Sequence, residues 1–233
     1  MTRIMQITTK KLLERYAAGE RDFSGLELQG EHRSEGLQLK GAHLPGINFS
    51  GSKLKFAVLD DANLEGANLR GTELWNCELS DANLKGANLR GAELYDCRLS
   101  DANLNGSDLQ EANILESFFD MACLVNVNLE GTVLFYCGFD RANLERVNLC
   151  GAKIDRCVFE QCNFTEAIFV RTKICGSGFD YTCFQNVRFE DCDGYDNYAE
   201  FADFRGASSV LILEYYRQTI MPDGSVVTSD GID

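Results

Sequence analysis

Large apolar residues recur at every fifth position over most of this sequence. Counting from Leu39 to Phe189 in steps of five gives 31 positions, and every one is Leu, Ile or Phe. A period of five matches neither the two-residue period of a half-buried strand nor the 3.6-residue period of an amphipathic helix. Because a five-residue unit cannot bury a core alone, the chain must wind and stack its units on one another.

A small side chain precedes each large one by two residues. These positions are mostly Ala, Cys, Ser, Thr or Val, as at Ala62, Ala67 and Thr72, and the other three positions of each unit are mostly polar. This pattern predicts one short strand and one corner per unit, with the large and the small residue both pointing inward. The glycines that end many units, such as Gly66 and Gly71, are suited to tight corners with positive φ.

A second period, of twenty residues, is superimposed on the first. Residues 75–94 and 95–114 share ten identical positions, including Cys77 with Cys97 and the run SDANL. Four units therefore form one turn of a square coil. The units ANLEG, ANLRG, ANLKG and ANLRG, at 62–71 and 82–91, resemble the A(D/N)LXX motif of the pentapeptide-repeat family.

The resemblance covers roughly residues 37–207 and implies an all-β fold, a right-handed quadrilateral parallel β-helix with four faces. Coils spaced by about 4.8 Å would give about seven and a half coils and a rod about 36 Å long. We expect three regions: an N-terminal capping helix at 1–20, the β-helix at 21–208 and a C-terminal cap or tail at 209–233.

Both ends of a solenoid need a cap because they expose core residues and unpaired strand edges. At the N-terminus, Thr8 or Thr9 can begin a short helix over KKLLERYAAG that stops at Gly19. Irregular coils with Phe23 and Leu28 are then expected before the regular register.

The C-terminal segment carries the apolar run from Val210 to Leu213, followed by Tyr215 and Tyr216. This segment either lies over the last coil or pairs with a second subunit, in which case the protein is a structural homodimer. The runs LLERYAAGERDFSG and TIMPDGS resemble the terminal segments of cyanobacterial pentapeptide-repeat proteins, most of which have no assigned activity.

The net charge of −14 and the isoelectric point near 4.6 argue against direct binding to nucleic acid or to an anionic membrane, because like charges repel. The N-terminus lacks the apolar run of a signal peptide, and no stretch approaches the roughly 20 apolar residues of a membrane helix. We therefore expect a cytoplasmic protein that binds another protein, and the resemblance to cyanobacterial members implies a bacterial one.

The ten cysteines indicate free thiols, since the chain is large and carries no export signal. No CxxC pair occurs, and His32 and His43 stand away from most cysteines, so no metal or other cofactor is expected. Six cysteines fall on the small inward position, where a thiol packs as a small hydrophobe. They are Cys77, Cys97, Cys137, Cys157, Cys162 and Cys192. The first four form two stacked pairs in which a disulfide is not excluded by geometry.

No catalytic constellation is recognisable. The sequence contains no glycine-rich phosphate loop and no Ser, His and Asp set in a plausible context, and its carboxylates are spread along outward positions. We therefore expect a non-enzymatic scaffold or regulatory binding module.

Carboxylates concentrate on one predicted edge of the coil. Eight of them lie on two neighbouring outward positions: Asp60, Asp120, Asp140, Glu160 and Asp180 on one, and Asp61, Asp81 and Asp101 on the next. Over six coil steps this is about one charge per 3.6 Å, close to the roughly 3.4 Å of one DNA strand. A solvated acidic face is the simpler interpretation, and Arg141 interrupts this acidic column.

The acidic column resembles that of the quinolone-resistance members of the family, acidic rods that bind a type II topoisomerase in place of DNA. The resemblance implies DNA gyrase as an alternative partner. This sequence departs from those members in its predicted N-terminal helix and in the absence of a loop inserted among its coils.

A strip of large apolar residues is predicted on the outside of the coil. The residues Trp75, Tyr95, Leu115 and Phe135 lie twenty apart in one outward position, and we name them the aromatic strip. Phe118 and Tyr136 fall on outward positions nearby. Exposed aromatic patches usually mark protein interfaces. Alternatively, the stacked side chains only stabilise adjacent strands, or a terminal segment covers them.

Overall fold

The computed structural model describes residues 7–27, 36–210 and 213–227 of the chain. One short helix precedes a right-handed quadrilateral parallel β-helix of about seven coils, the fold that the repeat predicted. The elements are α1 (Thr9–Ala17), β1 (Glu73–Trp75), β2 (Glu93–Tyr95), β3 (Asn113–Leu115), β4 (Val133–Phe135), β5 (Lys153–Asp155), β6 (Ile168–Val170), β7 (Lys173–Cys175), β8 (Arg188–Glu190), β9 (Asp193–Tyr195), β10 (Tyr198–Glu200), β11 (Tyr215–Arg217), β12 (Thr219–Ile220) and β13 (Val226–Val227).

Strand pairing follows the twenty-residue period. In the parallel pair β1 and β2, Leu74 is the partner of Leu94 and Trp75 is the partner of Tyr95. The same step joins β1, β2, β3, β4, β5, β7 and β9 into a seven-stranded sheet that forms one face of the rod, and it pairs β6 with β8 on another. On the remaining faces, isolated parallel bridges connect the coils at the same spacing.

The core consists of the inward residues of every coil. All 31 large residues from Leu39 to Phe189 are buried, as the five-residue period predicted. In the C-terminal half Phe replaces Leu, and the rings stack along the axis. The centroids of Phe119 and Phe139 are 4.8 Å apart, and those of Phe139 and Phe159 are 4.9 Å apart. This spacing matches the separation of adjacent strands, so each ring packs on the ring one coil away.

The corners require a left-handed backbone at the second residue after each large one. Gly66 and Gly71 have φ of 64° and 61°, which confirms the predicted role of these glycines. Asp61 and Asp81 adopt the same conformation with φ of 58° and 59°. Aspartate tolerates this region better than most residues, so the repeat continues where glycine is absent.

Asparagine amides link successive coils on the outside. The side-chain Nδ2 of Asn68 donates to Oδ1 of Asn48 at 2.9 Å, and Nδ2 of Asn163 donates to Oδ1 of Asn143 at 3.1 Å. The same bond joins Asn83 to Asn63 at 3.2 Å. These ladders satisfy polar groups between strands that are only one to three residues long.

Helix α1 begins directly after Thr8, whose hydroxyl accepts a hydrogen bond from the backbone N–H of Lys11. Its residue Leu12 is buried against the core cluster. The backbone N–H of Phe23 donates to the carbonyl of Asn48 at 2.7 Å, which attaches this segment to the first regular coil. The predicted position of Leu28 lies outside the described residues.

The C-terminal segment adds strands to the last coil. Strand β11 pairs in parallel with β10, and β12 pairs with β13 in antiparallel fashion. The backbone N–H of Phe204 donates to the carbonyl of Ile220 at 2.8 Å. Residues 213–227 therefore cover the end of the coil, which is the first of the two alternatives for this segment. Across the described ranges, no helix is long and apolar enough to span a bilayer.

Candidate functional site

The four residues of the aromatic strip are register partners in consecutive strands of the seven-stranded sheet. Trp75 pairs with Tyr95, Tyr95 with Leu115, and Leu115 with Phe135 across β1 to β4. Each follows a buried core residue, so its side chain projects outward. Tyr95 is 40% exposed, and the described C-terminal residues lie against the last coil rather than on the strip. The predicted juxtaposition is present, and its role in binding stays a prediction.

A shallow apolar groove follows the strip. Its volume is about 550 Å³. The lining residues are Trp75, Asn76, Glu93, Leu94, Tyr95, Asn113, Leu115 and Val133. The groove is thus lined by three members of the strip and by Glu93, Asn113 and Val133, the outward residues at the beginning of strands β2, β3 and β4. An apolar groove with polar residues at one end is typical of a protein-binding surface.

Cations contact both ends of the strip. The ammonium of Lys55 lies 4.0 Å from the centroid of the Trp75 ring. At the other end, the rings of Phe135 and Tyr136 meet edge to face at 4.4 Å, and Nη1 of Arg156 donates to the Tyr136 hydroxyl at 2.5 Å. Tyr136, which lies on a corner with φ of 53°, therefore extends the strip as predicted from its position.

Phe118 lies on the neighbouring face and not on the strip. It is 42% exposed, and it forms bridges with Arg98 and Gly138 on that face. Its ring carbon Cδ1 lies 3.1 Å from the position that a Cβ atom on Gly138 would occupy. The ring therefore covers the backbone of the next coil, which gives it a packing role that the sequence pattern did not indicate.

A second column on the same face carries a charge gradient that the sequence analysis did not single out. We name it the charged column, and it precedes the core residue of each strand. Its members are Glu73, Glu93, Asn113, Val133, Lys153 and Lys173, which are register partners in that order. Aligning the sequence in rows of twenty would have revealed it. From Glu73 to Lys173 the column changes from acidic to basic, and it is flanked by Lys53 before Glu73 and by Asp193 after Lys173.

The two lysines of the charged column are exposed and adjacent. Within the described residues, neither Lys153 nor Lys173 forms an ion pair, and neither does Glu93. Glu73 lies 3.5 Å from the ammonium of Lys53. Two stacked lysines repel each other, so a carboxylate supplied by another molecule would be stabilised there.

Three carboxylates of the acidic column bind the backbone of the next coil. Oxygen Oδ1 of Asp60 accepts the N–H of Ser80 at 3.0 Å, and Oδ1 of Asp120 accepts the N–H of Asp140 at 3.1 Å. Oδ1 of Asp180 accepts an equivalent bond from Glu200 at 2.7 Å. Burial raises the pKa of Asp120, and the charge of Asp140 adds to the effect. These three side chains therefore have a structural role beside any role in binding.

The other members of the acidic column lie on the same corner. Two cations beside them lower the net negative charge of the column. Lys40 forms an ion pair with Asp61 at 3.5 Å. Arg141 lies within the column and, with Asp140 and Glu160, lines a depression of about 260 Å³. The column is thus present as predicted, including its interruption by Arg141.

Five of the six cysteines predicted to be core residues are buried, and the sixth, Cys192, is half-buried. All ten are free thiols. The thiol of Cys77 donates to the carbonyl of Leu54, and burial together with the neighbouring Cys97 raises its pKa. Among the residues that the structure describes, no group of three or more His, Cys, Asp or Glu side chains could bind a metal ion.

The family model "Pentapeptide repeats (8 copies)" matches this chain. The matched residues are 35–71, 57–94, 77–114, 92–131 and 142–177. The chain belongs to the pentapeptide-repeat family. Comparison with curated proteins finds no match.

Two solved structures illustrate the relationship. One is HetL, a pentapeptide repeat protein involved in heterocyst differentiation regulation from the cyanobacterium Nostoc sp. strain PCC 7120. The two chains are 25% identical over 95% of this chain and 100% of HetL, with a TM-score of 0.55. The other is full-length QnrB1, a plasmid-mediated fluoroquinolone resistance protein. It is 16% identical over 85% of this chain and 93% of its own, with a TM-score of 0.51, and thus shares the fold.

Proposed function

We propose that this pentapeptide-repeat protein is a non-enzymatic binding module that recognises another protein through the aromatic strip. The observation that supports this most directly is the stacking of Trp75, Tyr95, Leu115 and Phe135 on the outside of one sheet. The core pattern requires no apolar residue at these positions. Large rigid aromatic side chains are favoured anchors at interfaces, because they bury much area with little loss of entropy.

The similarity to HetL over nearly the whole chain supports a regulatory rather than a catalytic role. The rigid solenoid presents the strip in one conformation, so little entropy is lost when a partner binds. Arg156 and Lys55 at the two ends of the strip restrict the partner to one that tolerates positive charge at both ends.

The test is site-specific photocrosslinking in a native lysate. A photoreactive phenylalanine derivative replaces Tyr95, and the same derivative replaces Lys85, which is exposed on a different face, as the control. We expect a discrete crosslinked product from position 95 alone, identified by mass spectrometry and reduced when Trp75 is changed to Ala. The same products from both positions would contradict the proposal.

A second candidate function is DNA mimicry by the acidic column, with DNA gyrase as the partner. The fixed positions of Asp60, Asp120 and Asp180, each bound to a backbone N–H, favour it, because they hold carboxylates in place at every third coil of the column. Resemblance to the quinolone-resistance members implies the same partner.

This second function is tested in a gyrase supercoiling assay with and without a quinolone. The variant Asp140→Asn/Glu160→Gln removes two carboxylates that do not accept a backbone bond from the next coil. We expect it to weaken any inhibition or protection. An unmodified protein without effect at tens of micromolar would rule this function out.

A further inference from the structure

We infer that the partner of the aromatic strip is a second copy of this chain, with the two rods antiparallel and their seven-stranded sheets face to face. This inference rests on the proposed function and names the partner of the same surface. Three columns of that face support this arrangement through the order of their residues, and the charged column is the most informative of them.

The symmetry of such a pair fixes which residues meet. A two-fold axis that runs parallel to the strands, between the two sheets, maps each column onto itself and reverses the order of its coils. We place this axis between β3 and β4, midway between Glu73 and Lys173 in the charged column. Positions in the charged column then meet when their numbers add up to 246.

In this arrangement the charged column is complementary to itself. Glu73 faces Lys173 of the second copy, and Glu93 faces Lys153 of the second copy. The two exposed lysines form no ion pair within the described residues, although Asp193 is the register partner of Lys173, and each gains a carboxylate across the interface. At the centre, Val133 meets Asn113, so no charge is placed in the middle of the interface.

The aromatic strip obeys the same rule. Next to the axis, Leu115 lies against Phe135 of the second copy and forms an apolar contact. Farther out, Tyr95 meets Asp155, so the phenol can donate a hydrogen bond to a carboxylate. The apolar centre and polar ends match the usual anatomy of a protein interface.

A third column, on the corner after the strip, adds another complementary pair. Here Asp96 faces Arg156 of the second copy, again symmetrically about the same axis. Every pair occurs twice in a two-fold dimer, so the face forms opposite-charge contacts at three positions on each side of the apolar centre. Such contacts contribute mainly to orientation and register.

Other arrangements lose this complementarity. Moving one copy by a single coil keeps one Glu–Lys pair, but it places Glu73 against Asp193 or Lys53 against Lys173, and these like charges repel. With the rods parallel, each charged-column residue would face the residue two positions later in its own coil, and of the six only Lys153, opposite Asp155, would face a carboxylate. The charges therefore select the centred antiparallel pair.

The expected affinity is modest. Five coil steps separate Glu73 from Lys173, so the contact is about 24 Å long, which is small among specific interfaces. We expect a dissociation constant in the micromolar range, roughly 1 to 100 µM.

The test reverses charges in the charged column and measures mass by sedimentation equilibrium at several protein concentrations. The variants Glu93→Lys and Lys153→Glu should each weaken self-association by about tenfold or more, because each places like charges opposite one another twice. An equimolar mixture of the two variants should restore the dimer, since both pairs are then opposite in charge. The double variant Glu93→Lys/Lys153→Glu should also dimerise.

Matched controls use the same changes on another face. Glu65→Lys and Lys85→Glu alter two exposed residues away from this sheet and should leave the mass unchanged. Val226→Asp tests the alternative dimer through the C-terminal segment, where Val226 is 64% exposed. Loss of the dimer in this variant, with no effect of the charge reversals, would overturn the inference. Circular dichroism melts establish that each variant is folded.

The outcome separates the inference from the proposed function. A chain that stays monomeric up to roughly 100 µM overturns the antiparallel dimer. If the photoreactive group at position 95 still crosslinks to a different protein, the strip remains a binding surface. If it crosslinks to nothing and the chain is monomeric, both proposals are wrong.

Discussion

Trp75 and Tyr95 are register partners in adjacent parallel strands, with both side chains on the outside of the sheet. The buried residues Leu74 and Leu94 pair in the same register on the inside. The outward and inward side chains of the sheet can therefore be changed separately, which allows an effect on binding to be distinguished from an effect on stability.

Changing Trp75 and Tyr95 together to Ala should destabilise the protein only slightly. The variant loses the cross-strand pair on the outside of the sheet and the cation–π contact with Lys55, which together contribute about 1 to 2 kcal/mol. Urea denaturation measures the change. The control Leu94→Ala removes a buried side chain and should cost about 2 to 5 kcal/mol. A large loss of stability in the outer variant, with binding intact, would mean that the strip is only structural.

Replacement of Phe139 by Ala should be among the most damaging single changes. Its ring lies between those of Phe119 and Phe159, so truncation opens a cavity and removes two stacking contacts. We expect a loss of about 3 to 5 kcal/mol in guanidinium denaturation. Phe139→Leu should cost less, because leucine occupies equivalent core positions in the N-terminal coils. Equal effects of the two substitutions would contradict the stacking argument.

Gly178→Ala should disturb the C-terminal end of the rod. A methyl group at Gly178 would overlap the ring and hydroxyl of Tyr198, which belongs to β10. Burial is the main cause that raises the pKa of Tyr198, with the carboxylates of Asp180 and Glu160 adding to it. Displacing the ring into solvent should lower that pKa toward its ordinary value.

Ultraviolet titration of the tyrosines, compared with a Tyr198→Phe variant to assign the signal, measures this shift. Gly138→Ala is the matched control, since a methyl group there approaches the ring edge of Phe118 at 3.1 Å and the carboxylate of Asp120 at 3.4 Å, and not Tyr198. It should leave the titration unchanged. A Tyr198 pKa that stays raised in Gly178→Ala would show that the ring does not depend on this contact.

Protonation of the Asp203 carboxylate should make the protein less stable in acid than at neutral pH. Its pKa is lowered to about 2, mainly by hydrogen bonds from Arg205 and further by Gln185. Because the folded pKa lies below the unfolded value of about 3.9, the stabilisation is present above pH 4 and is lost as the pH falls toward 2. After screening by solvent it amounts to about 1 kcal/mol.

The variant Asp203→Asn should therefore be less stable than the unmodified protein at pH 7 and equally stable near pH 2, as measured by urea midpoints. Asp81→Asn, at an exposed corner, serves as the control for a general change in net charge. A constant difference between Asp203→Asn and the unmodified protein at both pH values would exclude titration of Asp203 as the cause.

Repetition made much of the fold predictable. Each unit meets an equivalent unit one coil away, so a residue such as Leu94 has the same neighbours as Leu74 and the same reason to be apolar. The outward columns follow by the same rule, which is why the positions of Trp75 and Tyr95 were predicted correctly. The charge gradient from Glu73 to Lys173 was equally readable, but it appears only when the sequence is arranged in rows of twenty.

The sequence by itself determined the period, the inward residues and the order of side chains along each column, because all of these follow from one repeated local contact. Only the tertiary structure decided which way the C-terminal segment turns, that Phe118 covers Gly138, and that Asp120 binds the N–H of Asp140. Rotamers and caps depend on contacts between groups that do not repeat. Periodicity carries no information about such contacts, so their geometry had to be seen in the folded chain.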